Sequence, residues 1–333
     1  MKALVCKEYG SLDHLGTEEV PSPVPKSGQV LIAAQASAVN FPDGLIVLGK
    51  YQIRPPLPFV PGGEVAGVVK AVGEGVTHVS PGTPVLAWPM RGAFAEEVIA
   101  NADAVVAIQQ NVAMSAAAAM PMTYGTSYHA LLDRAQLKPG EVVLVLGAGG
   151  GVGLACVELG KLMGATVIAA ASSTEKLDAA KACGADHLIN YVSEDMRARL
   201  KEITGSKGVD VVCDAVGAAY AEAALRSVGW GGRYLVIGFA GGDIPRIPLN
   251  LTLLKGSAIV GVFWGEFLRR EPERGAREMH ELAAFLAEGR IKPRVTATYS
   301  LANARQALEA LLERRAIGKL VIEMPIFSQP PGD

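Results

Sequence analysis

The residues from Val142 to Gly153 (VVLVLGAGGGVG) have the types and spacing best suited to chemistry. An apolar, β-branched run meets a cluster of glycines, and the glycines open a helix-like segment that reaches Met163. Strand, tight turn and helix N-terminus in that order make a cradle for a pyrophosphate, because the first N–H groups of a helix lack partners and face outward. Gly147, Gly150 and Gly153 fall at GxxGxxG spacing, with Gly149 and Gly151 between them. Counted from Gly147, Val152 stands where a strict GxGxxG run has its third glycine. Glycine still lets the chain turn without a Cβ and lets phosphate oxygens approach the backbone. A glycine turn before a packed helix would read alike by itself. At the first βα crossover of a long β/α series the reading is a dinucleotide site built from Gly147, Gly150, Gly151, Val152 and Gly153.

The end of the next strand bears on which dinucleotide. An acid about twenty residues past the glycines would accept ribose hydroxyls and repel a 2′-phosphate. Here the strand ends Ala170-Ala171 and continues Ser172, Ser173, Thr174, Glu175, Lys176. Hydroxyls and a lysine at the tip suit the 2′-phosphate of NADP, although Glu175 stands among them. Ser173 or Thr174 would equally cap the following helix, and Lys176 would equally be a solvated charge. The rest of the nucleotide should meet the carboxyl ends of later strands, at Tyr191, Gly217, Gly238, Phe239, Val262, Phe263 and Trp264. Thr123, in the helical segment before the first strand, joins this set.

Composition frames these residues. The 333 residues are long for one core and comfortable for two domains. Half are hydrophobic and 19% charged, which excludes a disordered chain. The net charge of −2, with no basic block, gives no electrostatic footprint for nucleic acid. Cys6, Cys156, Cys183 and Cys213 are scattered, with no CxxC pair and no Cys/His cluster, so neither metal ligation nor a disulfide framework is expected. The start lacks the apolar core of a signal peptide, and Gly, Pro or charge breaks every candidate membrane span. A reduced, cytoplasmic protein without membrane association is expected.

Two textures must position the site. Residues 1 to about 120 carry Pro and Gly between short apolar or alternating stretches, the pattern of an irregular, barrel-like β domain. From Ser115 a helical segment runs through Thr123 to Arg134. Strands are then expected at 142–147, 166–171, 187–191, 209–216, 232–238 and 258–264, with helices at 151–163, 174–183, 194–203 and 218–227. That alternation predicts an α/β, doubly wound parallel sheet. Glu273 to Glu288 and Ala302 to Arg314 read as amphipathic helices, and Val295 to Ser300 and Lys319 to Met324 as strands that rejoin the first domain. The domains are expected at 1–122 with 289–333, and at 123–288. Ser328 to Asp333 are expected to be disordered.

Several runs together resemble the zinc-independent quinone oxidoreductases of the medium-chain dehydrogenase/reductase superfamily. They are Gly62 to Gly67 (GGEVAG), Tyr124 to Leu131 (YGTSYHAL), Leu137 to Glu141 (LKPGE), Gly147 to Leu154, Gly184 to Asp186, Ile189 to Tyr191, Gly231 to Arg233 and Gly318 to Val321 (GKLV). They span essentially the whole chain in order. The resemblance implies a GroES-like catalytic domain interrupted by a Rossmann domain, NADPH as cofactor, and a homodimer or homotetramer. It places Asn40 where zinc-using relatives have a cysteine ligand and Gly63 where they have a histidine, and the four-cysteine structural lobe is absent. It implies that Asn40 lines the nicotinamide pocket, that Tyr51 stands near the pocket mouth, and that Lys176 and Tyr191 contact the 2′-phosphate. Some members place a tyrosine five residues after the asparagine; this chain has Leu45.

Without a Lewis acid, the chemistry left is hydride delivery to an acceptor that is already electrophilic. A small-molecule quinone is the first expectation, with Asn40 positioning the nicotinamide or the acceptor oxygen and Tyr51 donating a hydrogen bond or proton. Tyr51 would equally serve as packing. Asp43, Glu64 and His129 read as structural. A reductase of activated alkenes, such as enoyl thioesters or 2-haloacrylates, is the alternative, for which Arg54, Arg91 and Arg246 would serve an acidic substrate. A nucleotide-holding structural or RNA-binding protein is the reading from another class, against which the missing basic stripe counts.

Overall fold

A computed structural model describes residues 1–325, and the terminal segment from Ser328 lies outside the described residues. The described residues divide into two compact units, 1–122 with 271–325 and 123–270.

The second unit is built on a six-stranded sheet in which every neighbouring pair is parallel. Its strands are Val142–Leu146, Thr166–Ala171, His187–Asn190, Val209–Asp214, Val228–Val236 and Ala258–Gly261. Numbered along the chain, their spatial order is 3-2-1-4-5-6, the order that opens a crevice at the carboxyl ends of strands 1 and 4. Helices at Gly151–Leu162, Thr174–Ala182, Met196–Thr204 and Tyr220–Arg226 make the crossovers. The strands need no polar alternation because both faces are covered. Val143, Leu144, Ile168, Val212 and Leu235 are fully buried, each contributing about 1.5–3 kcal/mol of burial.

The strand expected at 258–264 stops at Gly261, and Trp264 instead begins the helix Trp264–Arg270. The helical segment expected from Thr123 to Arg134 changes character midway. Pro121–Tyr128 is α-helical and His129–Arg134 is π-helical.

The first unit centres on a seven-strand sheet. Its long strand Gln29–Val39 pairs antiparallel with Val65–Val72, with Glu97–Asn101 and with Lys319–Glu323. The tail therefore does return to the first unit, as a strand register that sets Leu320 opposite Val39. Val295–Ser300 pairs parallel with Lys319–Glu323 and alternates half-buried with exposed residues, as an edge strand should.

The helix Pro272–Ala287 belongs to this unit, whereas the sequence reading assigned it to the second. Its apolar stripe of Met279, Leu282, Ala283 and Leu286 is buried. An amphipathic stripe fits either of two cores, so its period alone does not say which one it covers. Among the described residues no helix is long and apolar enough to cross a membrane.

Candidate functional site

In the second unit the expected cradle forms at the end of Val142–Leu146. Gly147 has φ +68°, and a Cβ there would come within 2.7 Å of Val216 Cγ2. Gly153 is pressed so closely on the turn that a Cβ would lie 2.2 Å from the Gly147 carbonyl oxygen. Gly150 is the N-cap of Gly151–Leu162, and no side chain caps that end. The helix N-terminus thus keeps its positive end for an anion. Val152 lies in the first turn, its carbonyl accepting from Ser127 Oγ at 3.1 Å.

Lys176 crosses this loop. A Cβ on Gly149 would meet the Lys176 Cβ at 2.5 Å and Cγ at 2.6 Å, so the lysine stem lies directly on the glycine. Its Nζ donates to Ser172 Oγ at 3.3 Å. Ser173 caps the next helix, its Oγ accepting from the Lys176 N–H at 3.4 Å. The two readings left open for Ser173 and Lys176 are therefore compatible, since capping uses the Ser173 hydroxyl and leaves the ammonium beside Ser172. The Tyr191 N–H donates to the Ala171 carbonyl at 3.2 Å, bringing Tyr191 to the same strand end, where its ring meets Tyr220 at 4.1 Å.

Further along the crevice, Asp214 holds the loop after its strand. Its Oδ1 accepts from the N–H of Val216 at 2.7 Å and of Gly217 at 2.8 Å, and Tyr234 donates its hydroxyl to Oδ2. Gly217 has φ +66°, and a Cβ there would stand 2.9 Å from Phe239 Cδ1. Gly238 follows, its N–H donating to the Asp214 carbonyl at 3.2 Å. Gly147, Gly150–Gly153, Ser172, Ser173, Lys176, Tyr191, Gly217, Gly238, Phe239 and Val262 thus all follow carboxyl ends of the parallel sheet.

Trp264 does not join them as expected. It is 3% exposed, with its indole over Gly125, where a Cβ would be 2.5 Å from Cζ2. Phe263 beside it is about half exposed. Thr123 is buried. His129 is buried, stacked on Phe267 at 4.0 Å and 3.2 Å from Asp133 Oδ2, which is the core role expected of it.

In the first unit Asn40 follows the long strand and opens the helix Phe41–Val47. Its backbone N–H donates to Asp43 Oδ2 at 2.8 Å. Its carboxamide is engaged at both ends. Nδ2 donates to Glu64 Oε1 at 2.7 Å, and Oδ1 accepts from Lys319 Nζ at 2.7 Å. Lys319 also donates to Glu64 Oε1 at 2.8 Å and to the Val39 carbonyl at 3.0 Å. The other Glu64 oxygen accepts from the Met122 N–H at 2.7 Å. Asn40, Asp43, Glu64 and Lys319 are all buried.

Burial pushes the Asp43 carboxyl up to about 7, and the Glu64 charge adds to the rise; the Asn40 N–H and Lys319 oppose it. Tyr51 is half-buried, and burial followed by the Asp43 charge raises its phenol above the usual range.

Sequence reasoning did not single out Lys319. The signal was a lysine opening the apolar run Lys319-Leu-Val-Ile322, since a strand lysine turned inward needs a carboxylate.

Residues 26–110 match the family described as alcohol dehydrogenase GroES-like domain, and residues 151–287 match the family described as zinc-binding dehydrogenase. The quinone oxidoreductase-like protein 2 homolog of Nematostella vectensis is 36% identical over 324 residues, covering 96% of this chain and 86% of that protein. The quinone oxidoreductase of Sus scrofa is 33% identical, covering 91% and 92%. A crystal structure of Escherichia coli quinone oxidoreductase complexed with NADPH is 29% identical, with TM-score 0.89 over 97% of this chain and 100% of that one.

The chain belongs to the quinone oxidoreductase-like branch of the medium-chain dehydrogenase/reductase superfamily. Its two units are the GroES-like and Rossmann folds of that superfamily. The zinc in one family description does not suit the residues here. Around Asn40 the side chains are a carboxamide, two carboxylates and an ammonium, and Lys319 already neutralises Glu64. Among the described residues no three His, Cys, Asp or Glu side chains gather as a metal site would require.

Proposed function

We propose that this quinone oxidoreductase-like chain is an NADPH-dependent reductase that delivers hydride to a quinone without a metal. The observation that carries the reading is the tip at Ser172 and Lys176. An ammonium 3.3 Å from a serine hydroxyl, beside an uncapped glycine helix, suits a 2′-phosphate next to a pyrophosphate. The NADPH of the Escherichia coli structure supports the same reading.

Bound there, NADPH supplies the hydride. The turn at Gly147–Gly153 holds the pyrophosphate through backbone N–H groups, and the loop at Val216–Gly217, fixed by Asp214, holds the nucleotide against it. Asn40 orients the nicotinamide or the acceptor oxygen. Tyr51 donates a hydrogen bond, and then a proton, to that oxygen. Hydride plus one proton converts a quinone to its hydroquinone, and solvent restores the phenol. Proximity and orientation account for about 7–11 kcal/mol of barrier in such a transfer.

The open edge of the Rossmann sheet, Ala258–Gly261, carries exposed Ile259. An uncovered apolar edge favours pairing with a second copy, so the working form in this proposal is a homodimer.

The test is NADPH oxidation by the pure protein against matched quinones and activated alkenes, with NADH in parallel. Turnover of ortho- or para-quinones with NADPH preferred is the expected result. Turnover confined to enoyl thioesters or haloacrylates would replace the quinone, and tight nucleotide binding without turnover of either would replace the reductase.

A further inference from the structure

Lys319 spends its ammonium in an unusual place. It reaches in from a strand that continues as buried Leu320, Val321 and Ile322 and ends at exposed Glu323, and it is 4% exposed. Its three acceptors, Val39 O, Asn40 Oδ1 and Glu64 Oε1, match the three hydrogens of an ammonium. Glu64 is fully buried, and one of its oxygens serves both Asn40 Nδ2 and Lys319 Nζ.

This pattern fixes the direction of the Asn40 amide. Flipping it would point its NH2 at an ammonium and its oxygen at a carboxylate, so the charges on both sides reject the alternative. The nitrogen end of the amide has capacity left: the second hydrogen of Nδ2 has only a 3.5 Å approach to the Ala38 carbonyl. The oxygen end faces Lys319 and, in the capping box of the helix, the Asp43 N–H. Stability alone does not require this arrangement. Desolvating a buried ion pair costs about as much as its attraction returns, and apolar side chains would fill the same space. What the pair adds is direction.

We propose that Lys319 and Glu64 are positioning residues that lock the Asn40 carboxamide in one orientation, so that its remaining N–H is presented to the reacting molecules. The proposal rests on the role given to Asn40 in the reductase reading. It makes the buried pair part of the hydride-transfer geometry while assigning it no contact with substrate.

The test uses the full chain with the double variant Glu64→Gln/Lys319→Met, which removes both charges together, and with Glu64→Gln alone, which is isosteric. Two readouts are taken. The first is single-turnover NADPH oxidation by a small para-quinone, with NADPH affinity measured separately. The second needs no ligand: side-chain amide hydrogen exchange in protein labelled with [15N]asparagine, the Asn40 signal being assigned by its loss in Asn40→Ala. Expected are a fall of fivefold or more in the transfer rate with NADPH affinity within threefold, and Asn40 amide exchange at least tenfold faster. A transfer rate within fivefold of the parent, or unchanged exchange, overturns the proposal. If the double variant does not fold, Glu64→Gln is judged by the same limits. Asn40→Ala at the parent rate would instead sink the role of Asn40 itself. A slow Asn40→Ala beside fast pair variants sinks the positioning alone.

Discussion

Lys176 and Asp43 show what single residues do here. The Lys176 stem lies on Gly149 and its ammonium stands by Ser172, so its charge is held at the strand tip to which the proposal assigns the 2′-phosphate. Losing a charged hydrogen bond of about 1.5–3 kcal/mol should raise the NADPH dissociation constant of Lys176→Ala roughly 10- to 100-fold and leave NADH unchanged. Fluorescence titration of both nucleotides checks this, and equal losses would remove Lys176 from the phosphate site. Asp43 is faced by Glu64, Lys319, the Asn40 N–H and Tyr51. Its carboxyl rises from 3.8 to about 7 on folding, so between those values the folded protein keeps a proton that the unfolded chain has lost. The stability this gives is full below about pH 4 and lost as pH rises to about 7. Asp43→Asn removes the titration. Its stability relative to the parent should therefore climb across that window and level off above it, by up to ~4 kcal/mol at 1.36 kcal/mol per unit. Thermal melts from pH 4 to 8 measure it, and a constant offset would mean that the buried carboxyl stays ionised. Lys176 was readable in the sequence because a strand tip without an acid is a local pattern. Lys319 was not singled out, because its partners Asn40 and Glu64 lie far away in the chain and only strand pairing brings them near.

Among the elements, the glycine turn was legible and its tolerances were not. Gly150 and Gly153 look alike in sequence, yet a Cβ on Gly150 would find its nearest neighbour at 3.5 Å and one on Gly153 at 2.2 Å. Gly153→Ala should therefore destabilise the fold by about 1–3 kcal/mol and loosen nucleotide binding. Gly150→Ala should cost less than about 1 kcal/mol, the range of a poorer N-cap. Chemical denaturation of the two variants side by side decides it, and equal losses would contradict the packing. The strand carried through to Trp264 in the sequence reading failed for a related reason. Phe263 and Trp264 extend an apolar run, but the indole finds a socket on Gly125 that no local pattern announces, and the chain turns helical to reach it.

At the scale of the whole molecule, alternation of strand and helix was enough to expect a doubly wound sheet, and the observed order 3-2-1-4-5-6 agrees. The edge strand Ala258–Gly261 is exposed. Ile259→Lys should shift the proposed dimer to monomer in sedimentation, since an edge lysine discourages pairing. A parent that sediments as a monomer would remove the dimer.

The glycine turn, a strand tip without an acid, the two textures and the family were legible in the chain alone. These are carried by neighbours in the chain, where residue type and spacing act directly on the backbone. The tertiary structure alone decided that helix Pro272–Ala287 groups with the first unit, that Trp264 is core, and that Asn40, Asp43, Glu64 and Lys319 form one buried cluster. Each of those depends on which distant surface an apolar stripe or a buried charge meets. That choice is made by packing and desolvation across the fold, and no local spacing encodes it.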